Sequence, residues 1–222
     1  MYSVKLNNNR DFPVLGVGTL FATKEGEAEQ LVKDAIDIGY RHFDTAMVYR
    51  NEKEVGAGIK AKISEGVVKR EDIFLTTKLW CTYHRREKVV EACKTSLSNL
   101  GLEYIDLYLI HSPSAFKEGD DFWPKDSDGK LMIEYIDRLL KAATIKPAAN
   151  QIECHPYLNQ AKLIAFCKEK GIIITAYSPL GSPNAIAKET TQAPLQDPKL
   201  QELAKKYNKT VAQIILRYLV RF

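Results

Sequence analysis

Asp44 in "HFDTA", Lys78 in "TTKLW", His111 in "LIHSP" and Gln151 in "ANQIE" are polar residues set at the C-terminal ends of apolar, β-rich runs. Five residues after Asp44 comes Tyr49. A tyrosine hydroxyl has an ordinary pKa of about 10, too high for an efficient proton donor near neutrality unless a cation lies beside it. Lys78 is the available cation. Asp44 would pair with Lys78 and hold it in place, and His111 could donate a hydrogen bond to a substrate oxygen. Together these residues suit proton donation beside a polarised carbonyl. Singly each has a blander reading: Asp44 as a helix N-cap, Lys78 as a snorkelling surface lysine, His111 as a satisfied core histidine. The repetition of polar residues at successive strand ends favours the shared site.

The elements that must position them alternate regularly. Six strands are expected at Leu15–Thr19, Tyr40–Ala46, Ile73–Trp80, Tyr104–His111, Ala148–Cys154 and Gly171–Tyr177. Between and after them lie amphipathic helical stretches, "KEGEAEQLVKDAIDIG", "NEKEVGAGIKAKISEG", "REKVVEACKTSLSNLG", "NQAKLIAFCKEKG", "DPKLQELAKKYN" and "TVAQIILRYLVRF". The opening "VKLNNNRDFPVL" reads as a small hairpin around an Asn-rich turn. Strict alternation argues for a parallel sheet with right-handed crossovers, an α/β class, either an open doubly wound sheet or a β/α barrel. In a barrel, side chains at the strand C-termini converge on one site, whereas eight strands are needed to close it. Asp128 to Ala143, "DGKLMIEYIDRLLKAA", is the only helix-like segment between the fourth and fifth of these strands. The loop Ser112 to Lys130 is long, polar and aperiodic and carries Phe116, Phe122 and Trp123, which suits a functional lid.

The 222 residues, 45% of them apolar, can bury a sizeable core. A net charge of +4 from 32 basic and 28 acidic residues, without a Lys/Arg run, indicates no nucleic-acid partner. No signal-like or membrane-length apolar stretch is present, so a cytoplasmic protein without a membrane partner is expected. Cys81, Cys93, Cys154 and Cys167 form no CxxC pair and read as reduced thiols. The four histidines show no paired spacing, so no metal is expected. Tyr49 to Lys53 matches YxxxK, but "LGVGTLF" lacks the third glycine of a dinucleotide turn.

The segments "GYRHFDTAMVYRNEKEVG", "FLTTKLW", "YIDLYLIHSP", "NQIECHP" and "ITAYSPLGS" together resemble the aldo-keto reductase superfamily, in that family's order and over nearly the whole chain. The resemblance implies a single domain over residues 1–222 with a TIM barrel fold, here about six strands of eight. It implies a monomer that uses NADPH to reduce small aldehydes and ketones. It assigns Tyr49, Lys78, Asp44 and His111 as the catalytic tetrad. Thr19, Asp44, Gln151, Tyr177, Ser178, Leu180 and Ser182 would bind the cofactor, with Tyr177 stacked on the nicotinamide and Gln151 at its carboxamide. His111, Trp80, Phe21 and Phe116 would line the substrate pocket.

The chain departs from that pattern twice. An internal helix-strand unit, whose strand carries the Ser-Asn pair that assists Gln151, has no counterpart, and a join near Met132–Ile133 is expected. The final barrel strand and the Lys, Ser and Arg that hold the adenosine 2′-phosphate are also unmatched. An alternative is therefore a catalytically impaired remnant, such as a splice-type variant, that binds a ligand or partner weakly. Missing strands would leave sheet edges open and lower stability.

Overall fold

The computed structural model describes residues 2–119, 121–129, 133–134, 147–181 and 194–221. The chain divides into two compact units, Met1–Val4 with Phe12–Ala143 and Lys5–Asp11 with Thr144–Phe222. The expected hairpin is present as β1 (Ser3–Lys5) and β2 (Asp11–Pro13). Its turn is closed by Leu6 N–H donating to the Arg10 carbonyl, with Asn9 in the left-handed conformation that asparagine tolerates.

The first unit carries a four-stranded parallel sheet in the order β3 (Val17–Gly18), β4 (His42–Asp44), β5 (Phe74–Leu79), β6 (Leu107–Ile110). Helices α1 (Glu27–Asp37), α2 (Glu52–Ser64) and α3 (Arg86–Leu100) connect them. Strand alternation sorts the side chains. Phe43 and Leu75 face the helices and join Val32, Ile36, Val55, Ile59 and Leu100 in the main core. His42 and Asp44 of β4, with Phe74, Thr76 and Lys78 of β5, take the opposite face. Near its start that face is apolar, where Phe12, Phe74 and His42 meet edge to face. Toward the strand C-termini it becomes charged.

Two contacts hold the helices against one another. The carboxylate of Glu54 on α2 accepts from Gly26 and Ala28 N–H groups, satisfying donors that α1 leaves free at its start. Gly56 on α2 lies so close to α3 that a Cβ there would stand 1.9 Å from the Leu100 carbonyl oxygen. After β6 the chain forms β7 (Ala115–Phe116), paired antiparallel with β8 (Ile133–Glu134). The loop expected to be a lid is thus anchored by a short hairpin. Ile133 and Glu134 are extended, so the helix expected over Asp128–Ala143 does not include them, and the remainder of its helical part lies outside the described residues. Among the described residues no strand pairs with the second edge of β6.

The second unit pairs β9 (Ala149–Glu153) in parallel with β10 (Ile173–Tyr177), in a register that sets Gln151 opposite Thr175. Helix α4 (Ala161–Glu169) connects them. Helix α5 (Pro198–Tyr207) is capped by Asp197 with Pro198 at its first position, and α6 (Val211–Leu219) by a Thr210–Gln213 capping box. Every expected strand is found, shortened at its ends, and all six helices outside Asp128–Ala143 are found. No described helix is long and apolar enough to cross a membrane.

Candidate active site

Asp44 ends β4, and the next residues turn through Met47–Tyr49 as one 3-10 turn before α2 begins. Thr77 points outward, its hydroxyl donating to Glu52 at 2.8 Å, so its neighbour Lys78 must point inward. There the ammonium donates to Asp44 Oδ1 at 2.5 Å, the Thr45 carbonyl at 2.9 Å and Tyr49 Oη at 3.3 Å. An ammonium has three protons, and each has an acceptor. Because Tyr49 accepts from the lysine, its own O–H is directed elsewhere. His111 follows β6, its N–H donating to the Leu79 carbonyl, and its ring stands perpendicular to Tyr49 at 5.7 Å between centroids. The four residues expected to act together are therefore in one cluster.

The electrostatics correct one expectation. Lys78 was expected to lower the Tyr49 pKa; instead burial, reinforced by the Asp44 charge, pushes the phenol well above 10. The lysine charge is compensated by Asp44 against it, while burial pulls the lysine itself downward from its ordinary value. The resting phenol is accordingly protonated at neutral pH. Burial, aided by the charge of Lys78, lowers His111 to about 4, so its imidazole is neutral. Its Nδ1 is buried with no hydrogen-bond partner, which leaves Nε2 as the nitrogen for an outward hydrogen bond.

Trp80, directly after β5, covers the site. It is edge-on to His111 at 5.1 Å, to Phe116 at 5.7 Å and to Trp123 at 4.8 Å, and its Nε1 donates to the Phe122 carbonyl at 2.9 Å. Trp80 and Phe116 thus meet each other, with Trp123, beside His111. Phe21 is 57% exposed and has no ring contact with them among the described residues. Thr19 is fully buried, and its hydroxyl contacts the Asp44 carbonyl and Asn51, so that side chain is turned into the protein.

The remaining cofactor candidates lie on the second unit. Gln151 is half-buried on β9; Tyr177, 47% exposed, ends β10. A tight turn follows, with Ser178 left-handed and Gly181 at φ +89°, where Gly181 N–H donates to the Ser178 carbonyl. A Cβ on Gly181 would stand 2.7 Å from the Pro194 ring. An open aromatic face, an amide and a tight strand-end turn bearing Leu180 suit one end of a nicotinamide dinucleotide. Ser182 lies outside the described residues. No group of metal-ligating side chains occurs among the described residues, and the four cysteines carry free thiols.

Asn51 is a residue that sequence alone does not single out. An asparagine before a helix reads as an N-cap, yet it makes no cap bond. Its buried amide donates to the Thr19 and Ala22 carbonyls at 2.8 and 3.1 Å and accepts from Thr45 Oγ1 at 3.0 Å. It thereby ties together the loops after β3 and β4, two residues from Tyr49.

A model of the Aldo/keto reductase family matches residues 14–123 and 129–221. The chain is 43% identical to estradiol 17 beta-dehydrogenase 5 of Mus musculus over 254 residues, covering 97% of this chain and 78% of that protein. It is 44% identical to prostaglandin-E(2) 9-reductase of Oryctolagus cuniculus, with the same coverages. The solved aldose reductase from Schistosoma japonicum shares 38% identity at a TM-score of 0.90, covering 100% of this chain and 80% of that one. With this fold and these matches, the chain belongs to the aldo/keto reductase family, whose matched members are oxidoreductases, and its barrel is incomplete. A match of 254 positions exceeds the 222 residues of this chain, so at least 32 positions of the mouse protein within the matched span have no residue here. That agrees with positions missing from within the matched span, and the two family-matched blocks are separated by residues 124–128.

Proposed function

We propose that residues 1–222 act as one NADPH-dependent carbonyl reductase domain, a monomer of the cytosol that converts small aldehydes and ketones to alcohols. The observation that carries this reading is Lys78 bound at once to Asp44, Thr45 and Tyr49, with neutral His111 at the ring of Tyr49. His111 Nε2 would orient the carbonyl oxygen by a hydrogen bond. Tyr49 would give its proton to that oxygen as negative charge builds there, an alkoxide being a far stronger base than a phenolate. The raised pKa of the resting phenol keeps that proton in place until then. Lys78, 3.3 Å away, would stabilise the phenolate that remains, and Asp44 and the Thr45 carbonyl would keep the ammonium from moving. Gln151, Tyr177, Ser178, Leu180 and Ser182 would hold the dinucleotide, which supplies hydride when bound. Trp80 and Phe116 would exclude water around the carbonyl, with Phe21 at the rim.

A second reading, a non-catalytic family remnant, draws support from the internal gap of at least 32 positions. Titration of NADPH against tryptophan fluorescence, followed by turnover with benzaldehyde, separates the two. The reductase reading expects binding, loss of reduced-cofactor absorbance, and a fall in kcat of about 10² to 10⁴ in Tyr49→Phe with binding retained. A cofactor-saturated protein without turnover would establish the remnant.

A further inference from the structure

Arg50 directly follows Tyr49 and closes its turn in the left-handed conformation, φ 59° and ψ 20°. Glycine or asparagine adopts that backbone more readily than a long side chain does. An unfavourable backbone beside a reactive residue points to a side chain retained for its head group.

That head group has a defined place. Its Cζ lies 5.3 Å from the centre of the Phe122 ring. The Phe122 carbonyl is held by Trp80 Nε1, and Trp80 meets His111 edge-on. Contact by contact, an exposed guanidinium is fastened to the aromatic wall of the candidate substrate site. No described carboxylate pairs with it: Asp44 is taken by Lys78, Glu118 by Arg85, and Asp121 accepts from the Trp123 N–H. A guanidinium with its donor fork free recognises carboxylates in bidentate fashion.

Building on the carbonyl-reductase reading, we propose that Arg50 selects substrates bearing a carboxylate remote from the reacting carbonyl. The test compares 6-oxohexanoate and 4-carboxybenzaldehyde with their methyl esters. For at least one pair the wild-type KM for the acid is about five- to tenfold below that for the ester at low salt. The preference narrows as salt is raised, because an exposed charge pair is screened. Arg50→Asn, which suits the left-handed backbone, removes the preference, and Arg50→Lys keeps part of it. Equal KM values for acid and ester in both pairs would overturn the proposal. So would an Arg50→Asn variant that raises both values alike, since that marks a clamp on Phe122 alone. Turnover of neither acid nor ester by the wild type would instead remove the reductase reading, and this proposal with it.

Discussion

His42 and His111 sit where protonation is resisted mainly by burial, His111 down to about 4 and His42 also below its ordinary 6.5. Between pH 6.5 and about 4 the unfolded chain binds protons that the folded chain refuses, so stability rises with pH across that window. The urea midpoint is therefore expected to be lower at pH 5 than at pH 7, with a smaller difference in His111→Asn; identical midpoints for the wild type would contradict this. The same burial explains what was legible at this scale. Asp44, Lys78 and His111 stand out in the sequence because polar residues are unusual in buried strands. The pKa of Tyr49 does not, because its direction is set by how deeply the fold buries the phenol and by the Asp44 charge beside it. The left-handed backbone of Arg50 is likewise set by the turn that precedes it, and the residue type gives no warning of it.

Asn51 and Gly56 show how elements hold the cluster. Removing the amide in Asn51→Ala leaves the Thr19 and Ala22 carbonyls without their donor in a buried setting. A loss of about 3 kcal/mol is expected in chemical denaturation. Turnover should fall as well, since the turn holding Tyr49 loses its anchor. In Gly56→Ala the new methyl meets backbone, which cannot rotate away as a side chain can. The helices must separate, and a loss of about 3 kcal/mol or more is expected. Gly18, where a Cβ would meet nothing within 4 Å, provides the contrast: Gly18→Ala should shift stability by less than about 1 kcal/mol. A pair of equally stable alanine variants would contradict the close approach of α2 and α3. Helices were legible because their apolar spacing is local. The β7–β8 pairing was not, because it joins Ala115–Phe116 to Ile133–Glu134 across a polar, aperiodic stretch.

The two units differ in how much apolar surface they bury. Most buried apolar side chains belong to the first; in the second only Leu6, Ala149, Cys154, Cys167, Pro194, Ala204 and Ile215 are buried among the described apolar residues. Amides of β9, β10 and α4 are therefore expected to exchange with deuterium before those of β4, β5 and α2, and uniform protection would contradict this. The family was legible because its motifs span the chain, and the internal gap because one crossover was too short to hold the elements that normally fill it. The placement of the reactive residues has a further consequence, one of timing. Asp44, Tyr49, Lys78 and His111 all come from the first half of the chain and from one unit. At roughly 5 to 20 residues per second, synthesis of the half that follows occupies on the order of ten seconds. On the ribosome the unit that holds the proton-donating cluster ends at Ala143, so it is synthesised before the strand that carries Tyr177 and the helices that follow.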